Sequence, residues 1–118
     1  LYNMIRHFRP KRIVEVGSGQ STLMAIEAIA ANRLSDPLYD CRITCIEPFE
    51  QPWLERLGVE VIRRRVEDCP DELVASLRAN DIFFIDSSHV IRPQGDVLHL
   101  FQRLLPLVAP GVICQVHD

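Results

Sequence analysis

Several absences narrow this 118-residue sequence before any motif is read. It has no apolar run near membrane-spanning length and no signal-peptide pattern at its start, so neither a bilayer-crossing helix nor a membrane partner is expected. It has no Cys-x-x-Cys pair. Cys41, Cys45, Cys69 and Cys114 are spread apart, which favours small buried hydrophobes in a reducing, cytoplasmic compartment over a disulfide or zinc framework. It lacks a strong charge of either sign: the formal net charge is −3 with 25% charged residues, so no nucleic-acid partner is expected. Internal repeats and low-complexity stretches are absent too.

What is present is organised around Ile13-Val14-Glu15-Val16-Gly17-Ser18-Gly19-Gln20-Ser21-Thr22. The near-continuous β-branched run suits a strand buried on both faces of a parallel sheet. Gly17 and Gly19 permit a sharp turn and close backbone approach, and the helix expected after them begins with unpaired N–H groups. The junction therefore reads as a ligand-binding turn, with Glu15 inside the strand pointing at the same spot. A phosphate-cradling P-loop needs a lysine after its last glycine, and none is there. A dinucleotide fingerprint wants a third glycine, where Thr22 stands, and an acid about 20 residues on. Glu47, the next acid to end a strand, comes 28 residues after Gly19. A carboxylate in the strand would also repel a pyrophosphate and suits a cationic ligand better.

Val14-Glu15-Val16-Gly17-Ser18-Gly19 resembles the first motif of the class I S-adenosylmethionine-dependent methyltransferases, an acidic residue and a variable one before G-x-G. The resemblance implies an α/β fold, a Rossmann-like doubly wound parallel sheet. Five of its seven strands are expected here, so residues 1–118 read as a single cofactor-binding core and a fragment of a longer chain.

The chain in order supports five strand-helix repeats. Strands are expected over 13–16, 41–47, 59–62, 82–85 and 112–116. Helices are expected over 21–32, 52–57, 70–78 and 95–105, the first burying Leu23, Ile26 and Ala30 with Ile29 alongside and the last burying Leu98, Phe101 and Leu105. In the family's strand order the third strand lies at a sheet edge, and Arg63-Arg64-Arg65 after it reads as charge that discourages edge pairing.

In such sheets ligands bind outside the carboxyl ends of the strands. The resemblance therefore assigns cofactor binding to Glu15, Gly17, Ser18, Gly19 and Ser21, to Glu47, Pro48 and Phe49, to Glu67 or Asp68, and to Asp86. Glu47 is expected to accept hydrogen bonds from the two ribose hydroxyls, since its two oxygens match a vicinal diol. Asp68 has a competing role as a helix N-cap.

Asp86-Ser87-Ser88-His89, with His117-Asp118, resembles a subgroup of O-methyltransferases with D-x-x-H after the fourth strand. There, aspartates hold a divalent cation and the histidine serves as base. The resemblance implies His89 and Asp86 as catalytic residues, Asp86 and Asp118 as ligands of a magnesium ion, and convergence of Asp86, His89, His117 and Asp118. The expected reaction is methyl transfer from S-adenosylmethionine to a small-molecule acceptor, most simply a hydroxyl oxygen, with Val90–Gln94 as the loop touching it. Two other readings stay open at this level: an NAD- or nucleotide-binding module using the same turn, and a non-catalytic domain that keeps the fold for interaction.

Overall fold

Among the described residues every strand runs parallel to its neighbours. In the computed structural model, which describes residues 1–49 and 51–117, five strands form one sheet in the order β3-β2-β1-β4-β5. They are β1 (Arg12–Val16), β2 (Arg42–Ile46), β3 (Glu60–Ile62), β4 (Ile82–Ile85) and β5 (Ile113–Val116). Order reverses between β2 and β4 on either side of β1, which places the reversal point at the carboxyl end of β1. The third strand is at an edge, as expected.

Strand alternation sorts the core into two layers. Ile13, Ile43, Cys45, Ile82 and Phe84 face one side, where α1 (Tyr2–Phe8) and α2 (Gln20–Ser35) pack through Ile5, Ala25, Ala28 and Ile29. Val14, Val16, Ile46, Phe83 and Ile85 face the other, covered by Val74, Leu77, Leu100 and Leu104. Among the described residues no helix is long and apolar enough to cross a membrane.

The helices differ from the expected ones in ways that have causes. The buried stripe of α2 is Thr22, Ala25, Ala28, Ile29 and Asn32, which keeps Ile29 of the expected residues but not Leu23, Ile26 or Ala30, because small side chains let the helix axis approach the sheet. The helix expected over 70–78 is a single turn, α3 (Glu72–Ala75). The segment over 52–57 is a 3-10 turn, Leu54–Leu57. The last helix starts as α4 (Asp96–His99) and passes into a π-helical stretch, Leu100–Leu104. The wider turn rotates the apolar stripe, so Leu100 and Leu104 are buried while Phe101 is 47% exposed. Of the cysteines, Cys41 and Cys45 are buried as expected, Cys69 is half-buried and Cys114 is exposed on β5.

Candidate functional site

The carboxyl ends of β1, β2 and β4 open into a cleft of about 500 Å³ whose lining includes Gly17, Ser18, Glu47, Pro48, Phe49, Glu67 and Asp86. Seven residues expected from sequence thus share one wall-to-wall space. Gly17 turns at φ 103° and is held by its N–H on the Ile46 carbonyl oxygen at 2.9 Å, which sets the glycine turn against the end of β2.

Glu47 is tightly held in the cleft. It is 6% exposed, and its two oxygens are aimed by three donors. Ser18 Oγ donates to Oε2 at 2.8 Å, the Phe49 N–H to Oε1 at 3.0 Å, and Gln51 Nε2 to Oε2 at 3.4 Å. Gln51 Nε2 also donates to Ser18 Oγ at 3.1 Å, tying the loop after β2 to the glycine turn. A carboxylate offers about four lone-pair positions, so acceptor capacity is left for a ligand.

Glu15 does not line the cleft. It shares the strand face of Ile13 and therefore turns toward α2, where it is 1% exposed. Its Oε1 accepts from Ser21 Oγ, and its Oε2 accepts from Thr22 Oγ1 at 2.7 Å and Cys45 Sγ at 3.5 Å. The expectation that Glu15 points at the ligand is corrected accordingly: side-chain alternation sends it into the helix, where it braces the first turn. Ser21 is spent on the same brace, and Gly19 serves as the N-cap of α2. Burial raises the Glu15 carboxyl above its ordinary range; hydrogen bonds from Ser21, Thr22 and Cys45 oppose the rise, and the charge of Asp86 adds to it. Burial and the same carboxyl push the Cys45 thiol up, which makes it an inert core residue.

This sign has a consequence for stability. A carboxyl raised in the folded state favours folding when protonated, so its contribution is present below the ordinary value of 4.5 and is lost as pH rises through the raised one. Glu15→Gln removes the ionisation. Its stability relative to the natural chain is therefore expected to increase between pH 4.5 and pH 7.5, as read by denaturant melts at the two pH values. A constant difference would show that Glu15 does not titrate differently in the two states.

On the β4 side, Asp86 Oδ1 lies 3.4 Å from His89 Nε2 and 3.5 Å from His117 Nδ1. The convergence of these three residues is as expected from sequence; Asp118 lies outside the described residues. The backbone explains the grouping. The Asp86 N–H continues the ladder to the Val16 carbonyl oxygen at 2.9 Å, and the His117 N–H continues it to that of Ile85 at 2.8 Å. His89 is brought back by a left-handed backbone at φ 59°. The donor set is one carboxylate and two imidazoles among the described residues, a nitrogen-rich set that fits zinc-class ions better than magnesium, which prefers oxygen.

Asp68 is also off the cleft, paired with Arg65 at 3.0 Å, and it caps no helix. Arg65, Ser87, Ser88, Arg92 and Asp96 line the cleft without having been singled out as ligands, although Arg92 belongs to the Val90–Gln94 loop. Ser88 donates to both oxygens of Asp96, from its N–H and its Oγ, each at 2.7 Å, which anchors that loop to the start of α4. Partial burial raises the Asp96 carboxyl, but the Ser88 bonds, a bond from the Val97 N–H and the charge of Arg92 together outweigh it and hold the group below its ordinary range. Gln51, a polar residue in a loop, and Asp96, the first residue of α4, carried no signal in the sequence.

A family model described as a methyltransferase domain matches residues 14–118, from within β1 through β5. The chain belongs to this methyltransferase-domain family. Among solved structures, the fold is similar to that of a candidate protein-L-isoaspartate O-methyltransferase (beta-aspartate methyltransferase) from Plasmodium falciparum in complex with S-adenosyl-L-homocysteine. The TM-score is 0.52 at 14% identity, over 98% of this chain and 57% of that one, so the chain spans little more than half the length of its structural neighbour. A search of curated proteins found no matching relative. Membership in the family and the parallel sheet agree with the resemblance drawn from Glu15, Gly17 and Gly19.

Proposed function

We propose that this chain binds S-adenosylmethionine in the cleft and supports methyl transfer to a hydroxyl oxygen of a small-molecule acceptor. The observation that carries the reading is Glu47, a nearly buried carboxylate with unused acceptor capacity, held by three donors at the rim of a glycine turn. Such a group has a purpose if a vicinal diol meets it. The methyltransferase-domain family and the S-adenosylhomocysteine carried by the structural neighbour support the choice of ligand. The unbridged buried thiols of Cys41 and Cys45 support a reducing, cytoplasmic setting.

When bound, the cofactor supplies an electrophilic sulfonium methyl, and the chemistry resides there. The chain's own work is alignment and proton transfer. Glu47 accepts from the ribose hydroxyls, and Gly17 and Ser18 leave main chain open to the amino-acid end. Alignment of this kind can supply an effective molarity of about 10⁵ M or more. His89, set beside Asp86, takes the acceptor's proton as its oxygen attacks, a role worth roughly 10² to 10⁴ in rate. No step requires magnesium, whose donor set is poor among the described residues.

The test is calorimetric titration of S-adenosylhomocysteine, with NADH as competitor, followed by transfer of labelled methyl from S-adenosylmethionine to a panel of small hydroxyl compounds and an isoaspartyl peptide. Micromolar binding that NADH does not displace, and labelling of a hydroxyl compound that falls about 10² to 10⁴-fold in His89→Asn, is the expected result. Labelling of the peptide alone would replace the small-molecule acceptor with a protein one. No nucleoside binding would overturn the reading.

A further inference from the structure

Arg63 sits at the end of an edge strand, where charge ordinarily serves solubility. Its side chain does something else. The guanidinium reaches back over the loop that follows β2. Nη1 donates to the carbonyl oxygens of Glu47 at 3.3 Å and of Phe49, and Nη2 donates to that of Gln51 at 3.2 Å. Nε donates to Glu55 Oε1 at 2.8 Å, joined there by Nη2. That hydrogen bond holds the Glu55 carboxyl below its ordinary range.

The three carbonyl groups belong to the residues whose other groups build the ribose-facing part of the cleft. Glu47 offers its carboxylate, Phe49 gives the N–H that orients it, and Gln51 sends its amide to Ser18 and Glu47. Arg63 lines no part of the cleft itself. It can reach Glu47 and Gln51 only through their main chain. A planar fork with five N–H donors can hold three carbonyls and a carboxylate at once, which the single ammonium of lysine cannot.

We infer that Arg63 is a positioning residue for the adenosine end of the cleft, fixing the main chain of Glu47, Phe49 and Gln51 so that the ribose-binding carboxylate is already in place when the ligand arrives. Binding then does not have to order this loop, which is how preorganisation turns into affinity. The inference rests on the reading of the cleft as a nucleoside cofactor site. Neighbouring Arg65 does not share the role, since it pairs with Asp68.

The experiment is a double-mutant cycle read by titration of S-adenosylhomocysteine into the natural chain, Arg63→Gln, Glu47→Ala and the double variant, with thermal melts alongside. Arg63→Gln is expected to weaken binding about tenfold on the natural background and less than about twofold where Glu47 is already alanine, because the effect travels through that carboxylate. Arg63→Lys is expected to restore little of the loss. A purely structural arginine would weaken binding by the same factor on both backgrounds, and that result overturns the inference, as does unchanged affinity in Arg63→Gln. Should Arg63→Gln fail to fold, Glu55→Gln loosens the same guanidinium more gently. A loss of about two- to threefold that disappears in the Glu47→Ala background supports the role, and no loss overturns it. Failure of the natural chain to bind the ligand would overturn the reading of the cleft itself, a result distinct from binding that ignores Arg63.

Discussion

Gly17→Ala is expected to cost this chain about 2 to 6 kcal/mol of stability, or to prevent folding outright. Two independent penalties meet at the position. Its φ of 103° lies where residues with a Cβ are strained, at about 1 to 3 kcal/mol. A Cβ built there would lie 2.5 Å from the Asp86 carbonyl oxygen, a backbone atom that cannot swing aside because the Asp86 N–H is bonded to Val16. Relieving such an overlap costs a further 1 to 3 kcal/mol or so. For a domain of this size the sum corresponds to a fall in Tm of roughly 10 to 30 °C. Gly19→Ala is the control. Its φ of 134° is strained as well, but nothing lies within 4 Å of the added atom, so only the first penalty applies. Differential scanning calorimetry on the two variants separates clash from strain; equal losses would show that β1 and β4 are not locked at this crossing.

The same crossing explains what could be read from sequence and what could not. The Ile82–Ile85 strand was legible to the residue because four apolar residues between Asp81 and Asp86 admit one reading. The β3 edge and the grouping at the strand ends followed from strand order, which the family resemblance supplied. The direction of Glu15 did not follow. Period-two alternation says that Glu15 opposes Val14 and Val16, but only the placement of α2 decides which face is helix and which is cleft. The buried stripe of α2 was misread because a hydrophobic pattern gives weight to Leu23 and Ile26, while close packing on a sheet gives it to Ala25 and Ala28. The register of the last helix was lost at the π-helical stretch, since an added residue in one turn leaves no mark in composition. Arg63 was the hardest to read. A triplet of arginines has the same appearance whether its members face water or hold a loop, and the three carbonyl groups that distinguish Arg63 come from residues 12 to 16 positions away.

Glu47→Ala is expected to weaken S-adenosylhomocysteine binding about ten- to a hundredfold while leaving the melting temperature within a few degrees. Charge-assisted hydrogen bonds are worth about 1.5 to 3 kcal/mol, and the diol would make its bonds to a carboxylate whose position is already set by Ser18, Phe49 and Gln51. The near-neutral effect on stability has a physical reason. Removing a carboxylate that is 6% exposed relieves its desolvation, and this offsets the loss of donors that it satisfies. Glu47→Gln separates charge from shape. The amide can keep its oxygen on the Phe49 N–H, but then presents N–H₂ where Oε2 accepts from Gln51, so two donors face each other. Its loss should be close to that of alanine, despite the nearly identical volume. Were Glu47 merely a buried residue following β2, affinity would be untouched in both variants and the melting temperature would carry the whole effect; calorimetric titration and a thermal melt on the same samples decide between the two.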